Sequence, residues 1–171
     1  MKKFYYLFLL FIIGCVSGYL YEEVFYLITE KNLYNQGILY GPWLPIYGCG
    51  ALLLLPLKNI KNKKTLVFIL SIFITGILEY IIGYISVNYY NSWLWDYNGL
   101  FLNINGLVCL RSVLSFAILG CLLIYVIAPN FNKLFNKINY IYIKYISVIL
   151  IIIFITDVIL SNIYRTPRTY N

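Results

Sequence analysis

Long apolar runs alternate with short polar stretches along the whole chain. Four runs are prominent: "FYYLFLLFIIGCVSGYLY", "TLVFILSIFITGILEYIIGYI", "SVLSFAILGCLLIYVIA" and "YISVILIIIFITDVIL". Each approaches the roughly 20 residues that an α-helix needs to cross about 30 Å of hydrocarbon. Transmembrane β-strands would instead give alternating segments of about ten residues, and the sequence shows none. The pattern predicts an all-α, polytopic helical membrane bundle.

A shorter apolar segment follows the first run, after a stretch rich in glycine and proline. We therefore predict about five transmembrane segments within a single integral membrane domain, residues 1–171. In chain order, the predicted segments are Phe4–Tyr26, Gly41–Leu57, Thr65–Val87, Leu107–Ala128 and Tyr145–Ile163. The basic start "MKK" with "IIGC" at Ile12–Cys15 also resembles a cleaved lipoprotein signal. The apolar pattern continues past Cys15, however, which favours a first transmembrane helix.

The composition agrees with a membrane protein. Hydrophobic residues make up 62% of the chain and charged residues only 11%, against about 25% charged residues in soluble domains. The net charge of +7 does not indicate nucleic-acid binding, because most lysines gather beside predicted helix ends. These lysines are Lys2, Lys3, Lys58, Lys61, Lys63, Lys64, Lys133, Lys137 and Lys144. This positive-inside pattern predicts a multi-pass protein with a cytoplasmic N-terminus and membrane lipid, not nucleic acid, as a partner.

No metal or cofactor is predicted. The chain has no histidine and four scattered cysteines without a CxxC pair. Zinc and haem sites usually need histidine or clustered cysteine. Isolated cysteines in apolar helices are typical of small packing residues.

Polar residues that escape the lysine clusters are predicted to lie in the outer half of the membrane. An ionised side chain in hydrocarbon costs about 3 kcal/mol or more, so such residues usually face the bundle interior or water. The candidate residues are Glu22, Asn35, Tyr47, Glu79, Asp96, Asn103, Asn105, Arg111 and Asp157. Two hypotheses remain open: an ion-pair cluster that holds the helices together, with Arg111 as the available cation, or a polar pocket that opens outward.

Helix periodicity places two of these acids on faces made of small residues. Gly14, Gly18 and Glu22 are spaced four apart and share one face of the first helix. Gly76, Glu79, Tyr80 and Gly83 make a similar face on the third segment. Small residues let a second backbone approach closely, so we expect both carboxylates to face neighbouring helices rather than lipid.

The stretch "NQGILYGPWLPIYGCGA" is predicted to be irregular. Prolines remove backbone donors and disfavour helix before them, and irregular backbone at membrane depth must be enclosed by protein or line a cavity. The predicted structural residues are Gly37, Gly41, Pro42, Pro45 and Gly48. The stretch is either a re-entrant or packed loop or an ordinary outer loop whose aromatic residues lie in the interfacial belt.

Several motifs resemble one bacterial family. They are "GYLYE", "NQGILYGPWLPIYGCGA", "LEY", "WDY" and "LNINGLVCL", in this order between Gly18 and Gly120. This arrangement resembles the family described as putative ABC-transporter type IV, the CmpB-like ABC-transporter permeases. The residues that match its pattern are Glu22, Asn35, Gly37, Gly41, Pro42, Pro45, Tyr47, Gly48, Glu79, Tyr80, Trp95, Asp96, Tyr97, Asn103, Asn105, Gly106 and Cys109. The chain departs from it at Gln36 and Leu107, where the family has arginine, and at Val87, where it often has glutamate.

The resemblance implies a permease of the bacterial cytoplasmic membrane. The sequence has no G-x-x-x-x-G-K-[ST] motif for ATP binding, so an ATPase subunit at the cytoplasmic face is the expected partner. The small size also favours a homo-oligomer. One alternative is an outer-leaflet enzyme that acts on a lipid-linked or cell-wall precursor, with Glu22, Glu79 or Asp96 as general acid or base. Another is an accessory membrane protein without catalytic activity.

Overall fold

The computed structural model describes residues 1–31 and 37–164. Its regular elements are helical, and the described residues contain only an isolated bridge between Ile104 and Val108 in place of a strand. The α-helices are α1 (Lys2–Glu30), α2 (Pro45–Leu54), α3 (Lys64–Tyr90), α4 (Leu110–Leu122), α5 (Ala128–Lys137) and α6 (Tyr140–Tyr164). A 3₁₀ helix covers Leu55–Ile60 and a π-helical turn covers Leu123–Ile127.

Four helical runs among the described residues are long and apolar enough to cross a membrane. These are Lys2–Thr29, Lys64–Tyr90, Leu110–Lys137 and Tyr140–Tyr164. They confirm the predicted all-α membrane bundle, and the irregular stretch predicted before the second segment is also present, since residues 37–44 form no helix. Helix α1 runs through Cys15 without a break.

The predicted second segment is shorter than the other four. Its α-helical part, α2, has 10 residues, which rise about 15 Å, or half of the hydrocarbon thickness. Proline accounts for both ends, because Pro45 begins α2 and Pro56 lies in the first turn of the 3₁₀ helix. Without an N–H, Pro56 cannot donate to the carbonyl four residues earlier, and the backbone tightens into 3₁₀ geometry.

The predicted end of the fourth segment at Ala128 is wrong. Helical backbone continues past Pro129 into α5 and ends at Lys137. A proline inside a helix lacks its donor and clashes with the carbonyl four residues earlier. The π-helical turn directly before it, in which Ala128 N–H donates to Leu123 O, widens the backbone at this position. As a result, Lys133 and Lys137 lie on a helix rather than in a loop.

The chain divides into two compact units. The first contains residues 1–52 and 130–164 within the described part of the chain, and the second contains Leu53–Pro129. The first therefore holds α1, the segment 37–44, most of α2, most of α5, and α6. The second holds the 3₁₀ helix, α3, the non-helical segment 91–109 (the 91–109 loop) and α4. The single membrane domain stays a prediction.

Glycine lets α1 and α2 approach closely in the first unit. A Cβ atom on Gly14 would lie 2.9 Å from the Cβ of Ala51, and one on Gly48 would lie 2.5 Å from Sγ of Cys15. At Gly18 a Cβ would overlap the ring of Tyr47. The small-residue face predicted for the first helix is thus confirmed as its contact with α2.

Helix α3 in the second unit buries a polar and small stripe. Its buried residues, mostly four apart, are Val67, Ser71, Thr75, Glu79, Gly83 and Ser86. Ser71 and Thr75 donate their hydroxyls to the carbonyls of Val67 and Ser71, at 2.8 and 2.7 Å. Such bonds satisfy buried hydroxyls within the helix itself. The predicted face of Gly76, Glu79 and Gly83 therefore meets protein, since Gly76 lies against Val113 and Gly83 against Leu107.

Candidate functional site

Asp157 of α6 binds the irregular segment before α2. Its Oδ1 accepts the backbone N–H of Tyr40 at 3.0 Å and the hydroxyl of Ser161 at 2.9 Å. Its Oδ2 accepts the backbone N–H of Gly41 at 2.8 Å and the indole N–H of Trp43 at 2.6 Å. Neutral donors thus surround both oxygens, and the carboxylate is stabilised without a cation among these contacts.

These bonds explain how the proline-rich segment satisfies its backbone. Helix is disfavoured before Pro42 and Pro45, so the N–H groups of this segment need partners from elsewhere. Besides the bonds to Asp157, Leu44 N–H donates to the carbonyl of Cys15 at 3.1 Å. Trp43 is buried against Ile12, Cys15 and Leu39. The segment is therefore packed against α1 and α6, and its position relative to the bilayer stays a prediction.

Glu22 of α1 binds Tyr47 of α2. The hydroxyl of Tyr47 donates to Oε1 of Glu22 at 2.6 Å, a short distance typical of a bond to a carboxylate. Gly18 lies one turn before Glu22 and leaves room for the Tyr47 ring. The glycine and the acid therefore act together, since one admits the ring and the other binds its polar end.

Replacing Tyr47 with phenylalanine is expected to lower the free energy of unfolding by about 1–2 kcal/mol, because hydrogen bonds to charged groups contribute in this range. The ring remains on Gly18, so the helix contact itself should persist. Thermal unfolding of the purified protein in detergent measures the change. Tyr21→Phe is the matched control: its ring lies 6.4 Å from that of Tyr47, and its hydroxyl has no hydrogen bond to the described residues. Equal midpoints for both variants would contradict the prediction.

Glu79 of α3 is buried where α4 and the 91–109 loop meet. Its side chain is 1% exposed. The hydroxyl of Tyr97 donates to Oε1 at 2.9 Å, and Oγ of Ser112 lies 2.7 Å from Oε2. Ser112 belongs to the capping box at the start of α4, in which its side chain accepts the backbone N–H of Cys109. Glu79 therefore contacts both the loop and the first turn of α4.

The 91–109 loop is shaped by hydrogen bonds of its own residues. Asp96 is exposed and accepts the backbone N–H of Asn98 at 2.8 Å, a typical Asx turn. Asn103 accepts Gly106 N–H and donates to the carbonyl of Leu100. Asn105 has a φ of 54° and donates to the hydroxyl of Tyr80 at 3.2 Å. These polar residues shape the loop and attach it to α3.

Two tryptophans differ in what their indoles bind. Trp43 reaches a side chain, Asp157, whereas Trp95 donates to the backbone carbonyl of Leu107 at 2.8 Å. Leu107, where the family pattern has arginine, is 4% exposed and lies against Gly83. This position therefore contributes an apolar side chain to the contact with α3.

The candidate residues fall into both units. Glu22, Tyr47 and Asp157 belong to the first; Glu79, Asp96, Asn103, Asn105 and Arg111 belong to the second. Arg111 is the second residue of α4 and is exposed, and its pairing with one of the acids stays a prediction. Asn35 and Gln36 lie outside the described residues. The common pocket and the ion-pair cluster both stay predictions.

Apart from Tyr47, which was a candidate residue, sequence reasoning missed the side chains that bind the acids. Tyr97 and Trp43 were visible only as aromatic members of motifs. Ser161 lies four residues after Asp157, a spacing that places both on one helix face, and this signal could have been used. Ser112 had no comparable signal, because its contact with Glu79 joins two helices. Among the described residues, no group of three or more potential ligands (Cys, Asp or Glu) could hold a metal ion.

Comparison with known proteins gives a single positive result. The family model described as "Putative ABC-transporter type IV" matches residues 9–162. The match extends beyond the motifs quoted above and includes most of α6, with Asp157. No curated protein and no solved structure matches the chain.

Proposed function

This chain belongs to the family described as "Putative ABC-transporter type IV", and we propose that it is a permease component of an ABC-type transporter in the bacterial cytoplasmic membrane. The family match over residues 9–162 is the observation that carries the proposal. The four span-length apolar helices agree with it. Because the sequence lacks a phosphate-binding ATPase motif, the energy source in this proposal is a separate ATPase subunit.

The lysine-rich end of the first unit is the proposed contact for that ATPase. Tyr6 of α1 packs on Phe131 and Phe135 of α5, with ring centroids 5.1 and 5.2 Å apart. Nζ of Lys2 lies 5.9 Å from the centre of the Phe135 ring. The start of α1 and the lysines of α5 therefore share one end of this unit, which the positive-inside rule assigns to the cytoplasm.

Helix α5 offers a surface that a soluble subunit could bind. On this helix Phe135 is buried, whereas Lys133, Leu134 and Lys137 are exposed. A short helix with a mixed cationic and apolar outer face suits an acidic, partly apolar groove on a partner. No such helix was predicted from the sequence.

The substrate side is proposed at the opposite, outer end. Within the first unit, the Glu22–Tyr47 pair contributes polar atoms to this side. The exposed isoleucines of α6, including Ile149, Ile152 and Ile159, are proposed to contact membrane lipid. The outward-facing pocket is part of this proposal.

A non-catalytic accessory role is the second candidate. It is favoured by the contacts of Asp157, because its hydrogen bonds within the described part of the chain go to Tyr40, Gly41, Trp43 and Ser161 of the same chain. An enzyme would need an acid that is available to a substrate. Asp96 is the exposed acid of the 91–109 loop, and catalysis by it stays a prediction.

Affinity purification from native cells in mild detergent tests the permease proposal. We expect an ATPase subunit to co-purify with the wild type in near-stoichiometric amount, identified by mass spectrometry. Reversing the charge of Lys133 and Lys137 to glutamate should reduce its recovery by about tenfold or more, equivalent to at least about 1.4 kcal/mol of binding free energy. Lys31→Glu is the matched control, because Lys31 is also exposed and lies beyond the other end of α1.

The possible outcomes test the permease role and the contact between the ATPase and α5 independently. Repeated absence of any ATPase with the wild type would contradict the permease proposal and favour the accessory role. Equal recovery with the double variant and the wild type would retain the permease role but exclude α5 as the contact. The mass of the purified assembly reports, in the same experiment, whether more than one copy of the chain is present.

A further inference from the structure

The 91–109 loop exposes three large apolar side chains. Phe101, Leu102 and Ile104 are 75%, 64% and 57% exposed, and we call these three residues the loop tip. The sequence has no charged residue between Tyr97 and Leu110. Exposed apolar patches usually mark a contact with another protein or with a membrane. The loop tip therefore suits an apolar environment rather than water.

The backbone at Leu102 supports the same conclusion. Its φ is 52°, a conformation that residues with large side chains rarely adopt and that glycine or asparagine usually occupies. The turn is held by the carbonyl of Leu100, which accepts the backbone N–H of Asn103 at 3.2 Å and its side-chain amide at 2.9 Å. An apolar environment around the exposed leucine side chain would offset this backbone cost.

The depth of the loop tip in the membrane follows from contacts with α3. Helix α3 begins at Lys64, in a lysine cluster that marks one polar boundary of the membrane. Asn105 bonds Tyr80, and Leu107 lies against Gly83. Tyr80 and Gly83 are about 24 and 28 Å from Lys64 along the helix. Because the hydrocarbon is about 30 Å thick, Ile104 and its neighbours lie near its far edge.

The start of α4 gives a similar depth for Phe101. The carbonyl of Phe101 accepts the backbone N–H of Leu110, the first residue of α4, at 3.3 Å. Ser112 follows one half-turn later and contacts Glu79, which is about 22 Å from Lys64 along α3. Since α4 runs antiparallel to α3, Leu110 and Phe101 lie about 3 Å further out. A tilt of the helices would place them deeper.

The backbone of the loop tip is suited to this depth. Irregular backbone near hydrocarbon must find hydrogen-bond partners within the protein. The backbone N–H of Ile104 donates to the carbonyl of Val108 at 2.8 Å, and the carbonyl of Ile104 accepts the N–H of Leu107 at 3.0 Å. Together with the bond from Leu110 to Phe101, these contacts occupy backbone groups on both sides of Leu102.

We propose that the loop tip inserts among the lipids of the leaflet opposite Lys64, so that the 91–109 loop is a re-entrant, lipid-binding element. Lipid is the occupant that the depth favours, because the tip lies at the level where acyl chains meet the headgroups. Tyr89 and Tyr90 at the end of α3 are also exposed. They lie about 38 Å from Lys64, in the headgroup region where tyrosine is enriched. The proposal does not depend on the permease role.

Tryptophan fluorescence of the full-length protein in phospholipid vesicles tests the proposal. Phe101→Trp adds one indole to the loop tip, and its emission is the difference between the variant and the wild type. We expect brominated phospholipid to remove most of this added emission. Bromine near the headgroup end of the acyl chain should act more strongly than bromine near its methyl end. Iodide in the aqueous phase should have little effect.

Phe73→Trp is the matched control for an indole that faces lipid. Phe73 is also exposed and lies in the middle of α3, about 14 Å from Lys64. Its added emission should be removed more strongly by bromine near the methyl end of the chain. The opposite preference of Phe101→Trp then reports the shallower depth of the loop tip.

Ile104→Trp keeps the proposal testable if Phe101→Trp does not fold, and the same quenching is expected from it. Quenching by iodide but not by bromine would place the loop tip in water and overturn the proposal. Resistance to both quenchers would show that protein, such as a second copy of the chain, covers the tip, and would overturn it equally. Co-purification of an ATPase affects neither result, so this proposal and the permease proposal can fail separately.

Discussion

Replacing Asp157 with alanine is expected to give the largest loss of stability, about 3 kcal/mol in the free energy of unfolding or roughly 6–12 °C in the thermal midpoint. The substitution removes the acceptor of the backbone N–H groups of Tyr40 and Gly41 and of the Trp43 indole. Donors left without partners cost about 1–3 kcal/mol each when they stay buried. Thermal unfolding monitored by near-ultraviolet circular dichroism measures the loss.

The effect should be local to the segment that Asp157 binds. Hydrogen exchange is expected to accelerate at the backbone amides of Tyr40 and Gly41, while the amides in the middle of α3 keep their protection. Ser161→Ala should have an intermediate effect, because Ser161 bonds both Asp157 and Tyr40.

Ser147→Ala is the matched control on the same helix. Ser147 is fully buried, and its hydroxyl has no hydrogen-bond partner among the described residues. Removing an unsatisfied hydroxyl is expected to be neutral or slightly stabilising. If Asp157→Ala and Ser147→Ala unfold at the same temperature, the segment before α2 does not depend on this carboxylate.

Replacing Gly18 with alanine is expected to cost about 2–3 kcal/mol, the sum of overpacking and of a lost hydrogen bond to a carboxylate, less the roughly 1 kcal/mol of helix propensity that alanine gains over glycine. A Cβ at this position would overlap the ring of Tyr47, so the ring must leave α1. The hydroxyl of Tyr47 then loses Glu22, which lies one turn further along the same helix face. The loss should exceed that of Tyr47→Phe, which keeps the ring in place.

Gly76→Ala provides the comparison on α3. A Cβ there would lie 3.1 Å from Cγ1 of Val113, and no other described residue outside the neighbouring helix backbone would lie within 4 Å of it. A valine side chain can move by a few tenths of an ångström, and alanine gains about 1 kcal/mol of helix propensity over glycine. We expect a change within about 1 kcal/mol of zero, the sum of these two effects. Equal losses for the two glycine variants would show that Tyr47 does not need the space at Gly18.

Much of the fold follows from local patterns. The first, third and fifth segments were predicted because each is long and apolar. The predicted second segment, Gly41–Leu57, is longer than the observed helix α2, Pro45–Leu54. The cause is local, because Pro56 ends the α-helix, and the sequence alone could have indicated this. Pro129 was misleading in the opposite direction, since it usually indicates a helix end. Here a π-helical turn before it allows the helix to continue to Lys137.

The candidate site was predicted only as a set of polar residues. Their placement on helix faces with glycine was correct for Glu22 and Glu79, because faces follow from residue spacing. Their partners were not predictable in the same way. Tyr97 and Ser112 are 18 and 33 residues from Glu79, and Gly41 is 116 residues from Asp157. No periodicity relates residues that far apart.

The order of residues alone was enough to establish a helical membrane protein, the approximate helix positions, and the helix faces that pack closely. These properties depend on hydrophobic length and on the spacing of small residues, both of which are local. The tertiary structure decided which donor each acid accepts. A carboxylate accepts from any N–H or O–H group with suitable geometry, so residue type leaves the partner open. Only the packing of α1, α2 and α6 in the first unit, and of α3, α4 and the 91–109 loop in the second, brings particular donors within 3 Å of particular carboxylate oxygens.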